Sequence, residues 1–126
     1  MYDSSRSKIL SLTRVYLRAG THRRTVSNEY LRLEDGQPSM GVGDGVARTA
    51  TITGITVNTE SPWSWTLKIM RKGSSTPLVT FPVASNYLAS NMTLNVDVPL
   101  DSVILFKVDG SNIPFPRVLL ELAWRL

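Results

Sequence analysis

Cysteine is absent from all 126 residues, and histidine occurs once, at His22. The first absence excludes disulfides, thiolate metal sites and a cysteine nucleophile. Together the two leave zinc without a ligand set, so no metal is expected. A histidine base needs an orienting partner and a nucleophile in reach. His22 stands beside Arg23 and Arg24 with no recognisable setting for either, and reads as a surface residue of a basic turn. Long apolar runs are missing too. From Met1 to Leu12 apolar residues are scattered and interrupted by Arg6 and Lys8. Such a stretch resembles neither a signal peptide nor a membrane span of about 20 apolar residues. The expectation is a chain made and kept in the cytoplasm, or released by some route other than secretion, with no membrane partner.

Glycine (8) and proline (7) are too few for a low-complexity chain, and 42% hydrophobic with 19% charged residues describes a folding one. One domain with an appendage is expected at this length. The net charge of +4 is unevenly placed. Residues 1–34 hold seven basic side chains against three acidic, a local +4, whereas residues 35–126 hold seven of each.

From Arg48 onward the chain alternates apolar and polar residues with period two, the mark of half-buried strands. Trp63, Trp65, Leu67 and Ile69 face one way and Ser64, Thr66 and Lys68 the other. Met92 to Val98 and Ile104 to Val108 alternate likewise. Pro82 inside the Val79–Val83 run marks an edge strand. The apolar phase of Ala50 and Ile52 changes at Gly54 before Ile55 and Val57, which predicts a β-bulge. Turns are predicted at 58–62, 71–77, 85–91, 99–102 and 109–114, and Asp109-Gly110 is a strong hairpin signal. The final run, Arg117 to Leu126, fits a helix nearly as well as a strand. Pro114 and Pro116 ahead of it, and the strands before them, favour the strand. Six short strands with spaced turns predict an all-β, jelly-roll-like sandwich over 48–126. Residues 1–47 predict an extended N-terminal arm, the alternative being extra strands on the sandwich.

Chemical motifs are scarce. "GVGDG" at 41–45 lacks the Gly-Lys-Ser/Thr of a Walker loop and the following helix of a dinucleotide site. "DGSN" at 109–112 lacks the acidic ligands of a calcium loop. Asn91-Met92-Thr93 matches a glycosylation sequon with no secretion signal to accompany it. Nothing singles out Asp97, Asp101 and Glu121 as paired carboxylates. No enzyme and no cofactor is expected. Arg14, Tyr16, Arg18, Arg23, Arg24, Tyr30 and Arg32 form a basic, tyrosine-bearing set in the arm. Its charge is thinner than nucleic-acid arms carry, so the expected partner is a protein, met through Arg–carboxylate pairs and tyrosine anchors.

Self-association is expected as well. A β domain of this size buries only about 60% of its unfolded surface. Yet Leu105, Leu119 and Ala123 lie opposite the main apolar sets, and the final strand is largely apolar, with Trp124 and Leu126 near its end. Leu105, Leu119, Ala123, Trp124 and Leu126 are therefore the predicted oligomer interface.

The succession "TITGITV", "WSWTLKIMRKG" and "LNVDVPLDSVILFKVDGSNIPFPRVLLELAWRL", with "EYLRLEDGQPS" upstream, resembles small all-β virion proteins of tailed bacteriophages and prophages. Its marks are the tryptophan strand ending in Arg71-Lys72-Gly73, the Leu94–Asp97 strand and the "DGSNIPFPRV" turn, and it spans roughly 28–126. Such proteins decorate or cement capsids, or serve at the tail as fibre or adaptor modules, often as trimers. The resemblance implies a capsid decoration protein that bridges capsid subunits, located in virions assembled in the host cytoplasm. Its partners would be a major capsid protein or another virion protein, and itself. The alternative is a tail adaptor or a receptor- or carbohydrate-binding module, with Trp63 and Trp65 as stacking surfaces.

Overall fold

The computed structural model describes residues 10–21, 24–33, 44–45 and 49–125. In chain order the strands are β1 (Leu10–Gly20), β2 (Thr25–Val26), β3 (Glu29–Tyr30), β4 (Arg32–Leu33), β5 (Asp44–Gly45), β6 (Ala50–Arg71), β7 (Val79–Asn91), β8 (Val96–Val98), β9 (Val103–Asp109), β10 (Ile113–Pro114) and β11 (Arg117–Arg125). No helix occurs among the described residues; one nine-stranded antiparallel sheet curls around the core, and β2 pairs with β10 in a separate two-stranded sheet. The all-β, sandwich-like expectation therefore stands.

β6 is the spine. Its first half pairs with β11 on one side and with β7 and β8 on the other; its second half lies between β7 and β9. Ile52, Ile55, Leu67 and Ile69 from both halves enter a single cluster with Phe106, Leu120 and Leu122. Each such side chain stabilises the fold by about 1.5–3 kcal/mol through burial. The expected bulge is present: Glu121 faces Gly54 while Leu122 faces Ile52, so Thr53 is the extra residue. The expected turn after Arg71 is present too, with Gly73 at φ +86° and Ser74 N–H donating to the Arg71 carbonyl at 2.9 Å. Among the described residues β7 pairs with β6 alone, which fits the edge position read from Pro82.

Two predicted turns are not breaks between strands. Residues 59–62 bulge out of β6 opposite Tyr87, because Asn58 faces Leu88 and Trp63 faces Asn86. Residues 85–91 continue β7 past a kink at Ser85, whose φ is +51° and whose N–H donates to Ser64 Oγ at 3.0 Å. The Met92–Val98 run also shortens, since only Val96–Val98 joins the ladder.

The hairpin read from Asp109-Gly110 does not form. β9 and β11 do not pair with each other; both run antiparallel along β6, β9 against 66–71 and β11 against 50–58. The intervening segments, 59–65 and 110–116, are of equal length, so the ladder resumes without slip. The 110–116 stretch leaves β6 and pairs with the chain's early residues instead, Ile113 opposite Val26 and Pro114 opposite Thr25. Phe115 N–H donates to the Arg24 carbonyl at 2.8 Å and Asn112 N–H to Ser27 Oγ at 2.8 Å. Gly110 and Asn112 were read as turn residues, but their use was misread: positive φ there and at Phe115, beyond the predicted turn, directs an excursion rather than a reversal.

The strand reading of the final run holds. Val118, Leu120 and Leu122 are buried, and Trp124 packs against the core. What lies beside it corrects the arm. β1 is an inner strand, paired with β11 along 14–19 and with β4 at its end. Val15, Leu17 and Ala19 pack on the core, and Val26 and Leu31 belong to it. The boundary at 47/48 therefore separates no two domains among the described residues. The alternative of extra strands describes 10–33 better, for a physical reason. Without β1 the apolar row of β11 would have one covered edge and one exposed.

Candidate functional site

The half-sheet of β1, β11, the first half of β6, and β7–β8 has one side on the core and the other facing outward. Strand registers bring its outward residues into straight rows across the sheet. Arg14 stands opposite Ala123, Thr51 and Asp97 in turn, a row whose middle members Ala123 and Thr51 are buried. Tyr16 stands opposite Glu121 and then Gly54. Arg18 leads to Leu119, Thr56 and Ser90, and Arg117 to Asn58 and Leu88. The face is thus basic and tyrosine-bearing along β1, and apolar around the end of β7, where Leu88 on the strand and Met92 just after it are exposed.

Glu121 organises its centre. Thr53 Oγ1 donates to Glu121 Oε1 at 2.7 Å, Tyr16 Oη donates to Oε2 at 3.0 Å, and Arg14 Nε lies 3.9 Å from Oε1. The bulge at Thr53 aims its hydroxyl at the carboxylate, so the break in apolar phase has a use at this face. The hydrogen bond to Glu121 raises the Tyr16 pKa above the usual phenol value, and the carboxylate's charge acts in the same sense. Gly54 leaves room for Met92. A Cβ there would stand 2.5 Å from Met92 Sδ and Cε, so the absent side chain lets the thioether lie flat on the sheet.

A second polar group lies on the other half, on the same side of β6 and β9 as Thr66. Lys68 Nζ is 2.7 Å from Asp109 Oδ2, and Lys107 Nζ is 3.6 Å from Oδ1. The Lys68 hydrogen bond holds the Asp109 carboxyl below its ordinary value against the opposing effect of burial, with Lys107 assisting.

Of the predicted docking residues, the structure gathers Arg14, Tyr16 and Arg18 into one outward row of β1. Arg32 faces Gly20 at the far end of that strand. Tyr30 is elsewhere, opposite Lys107 on β9. Arg24 reaches the β6 bulge, with Nη2 3.3 Å from Glu60 Oε1, an exposed pair of small energetic weight. Arg23 and His22 lie outside the described residues, as does Leu126.

The predicted oligomer interface is corrected in part. Leu105 is 6% exposed and Ala123 0%, so the single chain already covers both. Trp124 packs against the core and Leu119 is half-buried between Arg18 and Thr56. The tryptophan stacking surface is likewise closed. Trp65 is 4% exposed, with Nε1 buried and unpartnered among the described residues. Trp63 is half-buried against the core and donates to the Ser111 carbonyl at 3.0 Å.

The sequence reading missed Tyr87 and Leu88 as strand residues on the surface, having placed 85–91 in a turn, and Met92, having placed it on the apolar face of a 92–98 strand. A signal was present. From Gly73 to Val96 the chain has no charged residue, which a solvated turn region rarely sustains.

Among the described residues no three acidic or histidine side chains gather as a metal site, and no helix is long and apolar enough to cross a membrane. The chain matches no protein-family model, and no curated protein matches it.

Proposed function

We propose that the protein is a structural component of a tailed-phage virion, a capsid decoration protein that bridges neighbouring capsid subunits. The observation that carries this reading is the outward row Arg14, Tyr16 and Arg18 on β1, which pairs with β11 along 14–19. A basic, aromatic row fixed on a sheet meets an acidic protein surface with little ordering cost, because its backbone is already set. Arginine and tyrosine are also the side chains that most often anchor protein interfaces. The resemblance to phage virion proteins supplies the partner class, a major capsid protein or another virion protein. Docking then occurs through a sheet face, in place of a flexible arm.

The test is to label intact particles encoded with this gene, using an antibody against the protein, and to count copies by electron microscopy. Many copies on the head support decoration. Label at the tail alone supports the adaptor reading, and absence from particles overturns both. A double reversal, Arg14→Glu with Arg18→Glu, should abolish attachment to undecorated heads while the protein stays folded by circular dichroism.

A further inference from the structure

β7 is a thirteen-residue strand with β6 on one side and, among the described residues, no strand on the other. Open edges of this length invite pairing, and natural proteins guard them with charges, prolines or kinks. Here the charges are missing altogether, since nothing between Lys72 and Asp97 is ionisable at neutral pH. The other two guards, Pro82 and the positive-φ kink at Ser85, both lie at or before the midpoint of the strand. From Asn86 to Asn91 the edge is unguarded. That same stretch holds, among the described residues, the two most exposed large apolar side chains, Tyr87 at 60% and Leu88 at 58%.

We propose that β7 pairs along this edge with β7 of a second copy, antiparallel about a two-fold axis through Leu88. The occupant follows from the strand's composition. An uncharged edge has nothing with which to select an acidic or a basic peptide, but two such edges meet without like-charge opposition, although each chain carries +4. A two-fold axis makes the contact self-complementary. With Leu88 opposite its own copy, Tyr87 meets the partner's Ala89, a large group beside a small one. Asn86 meets the partner's Ser90, two polar groups side by side. Antiparallel opposition brings these Cβ atoms within about 5.5 Å. Six residues of edge bury less than the roughly 1,200 Å² of a stable interface, so the pair forms as concentration rises and is favoured where copies crowd. A pair is the product, not the trimer that the resemblance implies. The contact does not depend on the virion reading.

Sedimentation velocity of the full chain across a wide concentration range tests this. The wild type should pass from monomer to dimer. Leu88→Lys and Leu88→Glu, at an exposed position, should each stay folded by circular dichroism and weaken pairing by about tenfold or more, because like charges then face each other on the axis. Mixing the two variants should restore a heterodimer. A wild type that remains monomeric, a Leu88→Lys variant that associates like the wild type, or a mixture that fails to pair would each overturn the proposal.

Discussion

Asn28 and Gly110, 82 positions apart, bond to each other twice: Asn28 N–H donates to the Gly110 carbonyl at 3.1 Å, and Gly110 N–H donates to Asn28 Oδ1 at 2.8 Å. A side-chain amide thereby completes a backbone pairing that strand geometry would otherwise supply. It fastens the start of the 110–116 excursion to the segment after β2. Gly110 has φ +147°, and a Cβ there would stand 3.2 Å from Trp65 Cβ and 3.3 Å from Ile113 Cδ1. Gly110→Ala should therefore lose about 1–3 kcal/mol of stability in urea unfolding. Asn28→Gly keeps the backbone freedom that φ +45° requires and removes only the acceptor, so its loss should be smaller, about 1 kcal/mol.

Tyr16 donates to Glu121, and its raised pKa reflects that bond. A raised folded-state value means that the stabilisation is complete below the unfolded pKa near 10 and is lost as pH climbs through the folded one. Ultraviolet titration should show one phenol ionising late. Glu121→Gln should move that step back toward the ordinary value, and Tyr16→Phe should remove it.

Asp109 behaves in the opposite sense. Its pKa is lowered, chiefly by the Lys68 hydrogen bond, so its contribution is present above the unfolded value near 3.9 and lost as pH falls through the folded one. Asp109→Asn should cost up to about 1 kcal/mol at neutral pH, the range for a partly exposed pair. Thermal melts in acid should show the gap between variant and wild type closing.

β1 covers one edge of β11, and its Val15, Leu17 and Ala19 cover part of the core. Deleting residues through Thr21 should therefore leave a chain that aggregates or unfolds. A soluble, cooperatively melting product would show that β11 does not need this neighbour.

Alternation was readable wherever one face is buried and the other wet. Trp65, Leu67 and Ile69 announced the second half of β6, and Val118, Leu120 and Leu122 announced β11. The bulge at Gly54 was visible as a change of apolar phase. β1 was harder: Val15 and Leu17 alternate with Arg14, Tyr16 and Arg18, but a large aromatic among the outward residues blurs the period. Arg14, Tyr16 and Arg18 were chosen as candidate contacts and do form one row, on a sheet face and not on an arm. The exposed end of β7 was not legible as a strand. Its residues 84–88 are exposed on both faces, so no period arises.

By itself the sequence determined an all-β chain, its phase of apolar residues, the strand character of 117–125 and the positive-φ turns at Gly73 and Gly110. These follow from local sterics and period-two burial, which act between near neighbours. Only the tertiary structure decided what each turn accomplishes and which strands meet. Asp109-Gly110 favours a positive-φ bend equally well as a hairpin or as an excursion. The choice was made by Asn28, Ser27 and Arg24, which offer partners to 110–116 from far along the chain. In the same way β11 required a neighbour, and its identity as β1 was fixed by which distant segment could cover the core without breaking the ladder.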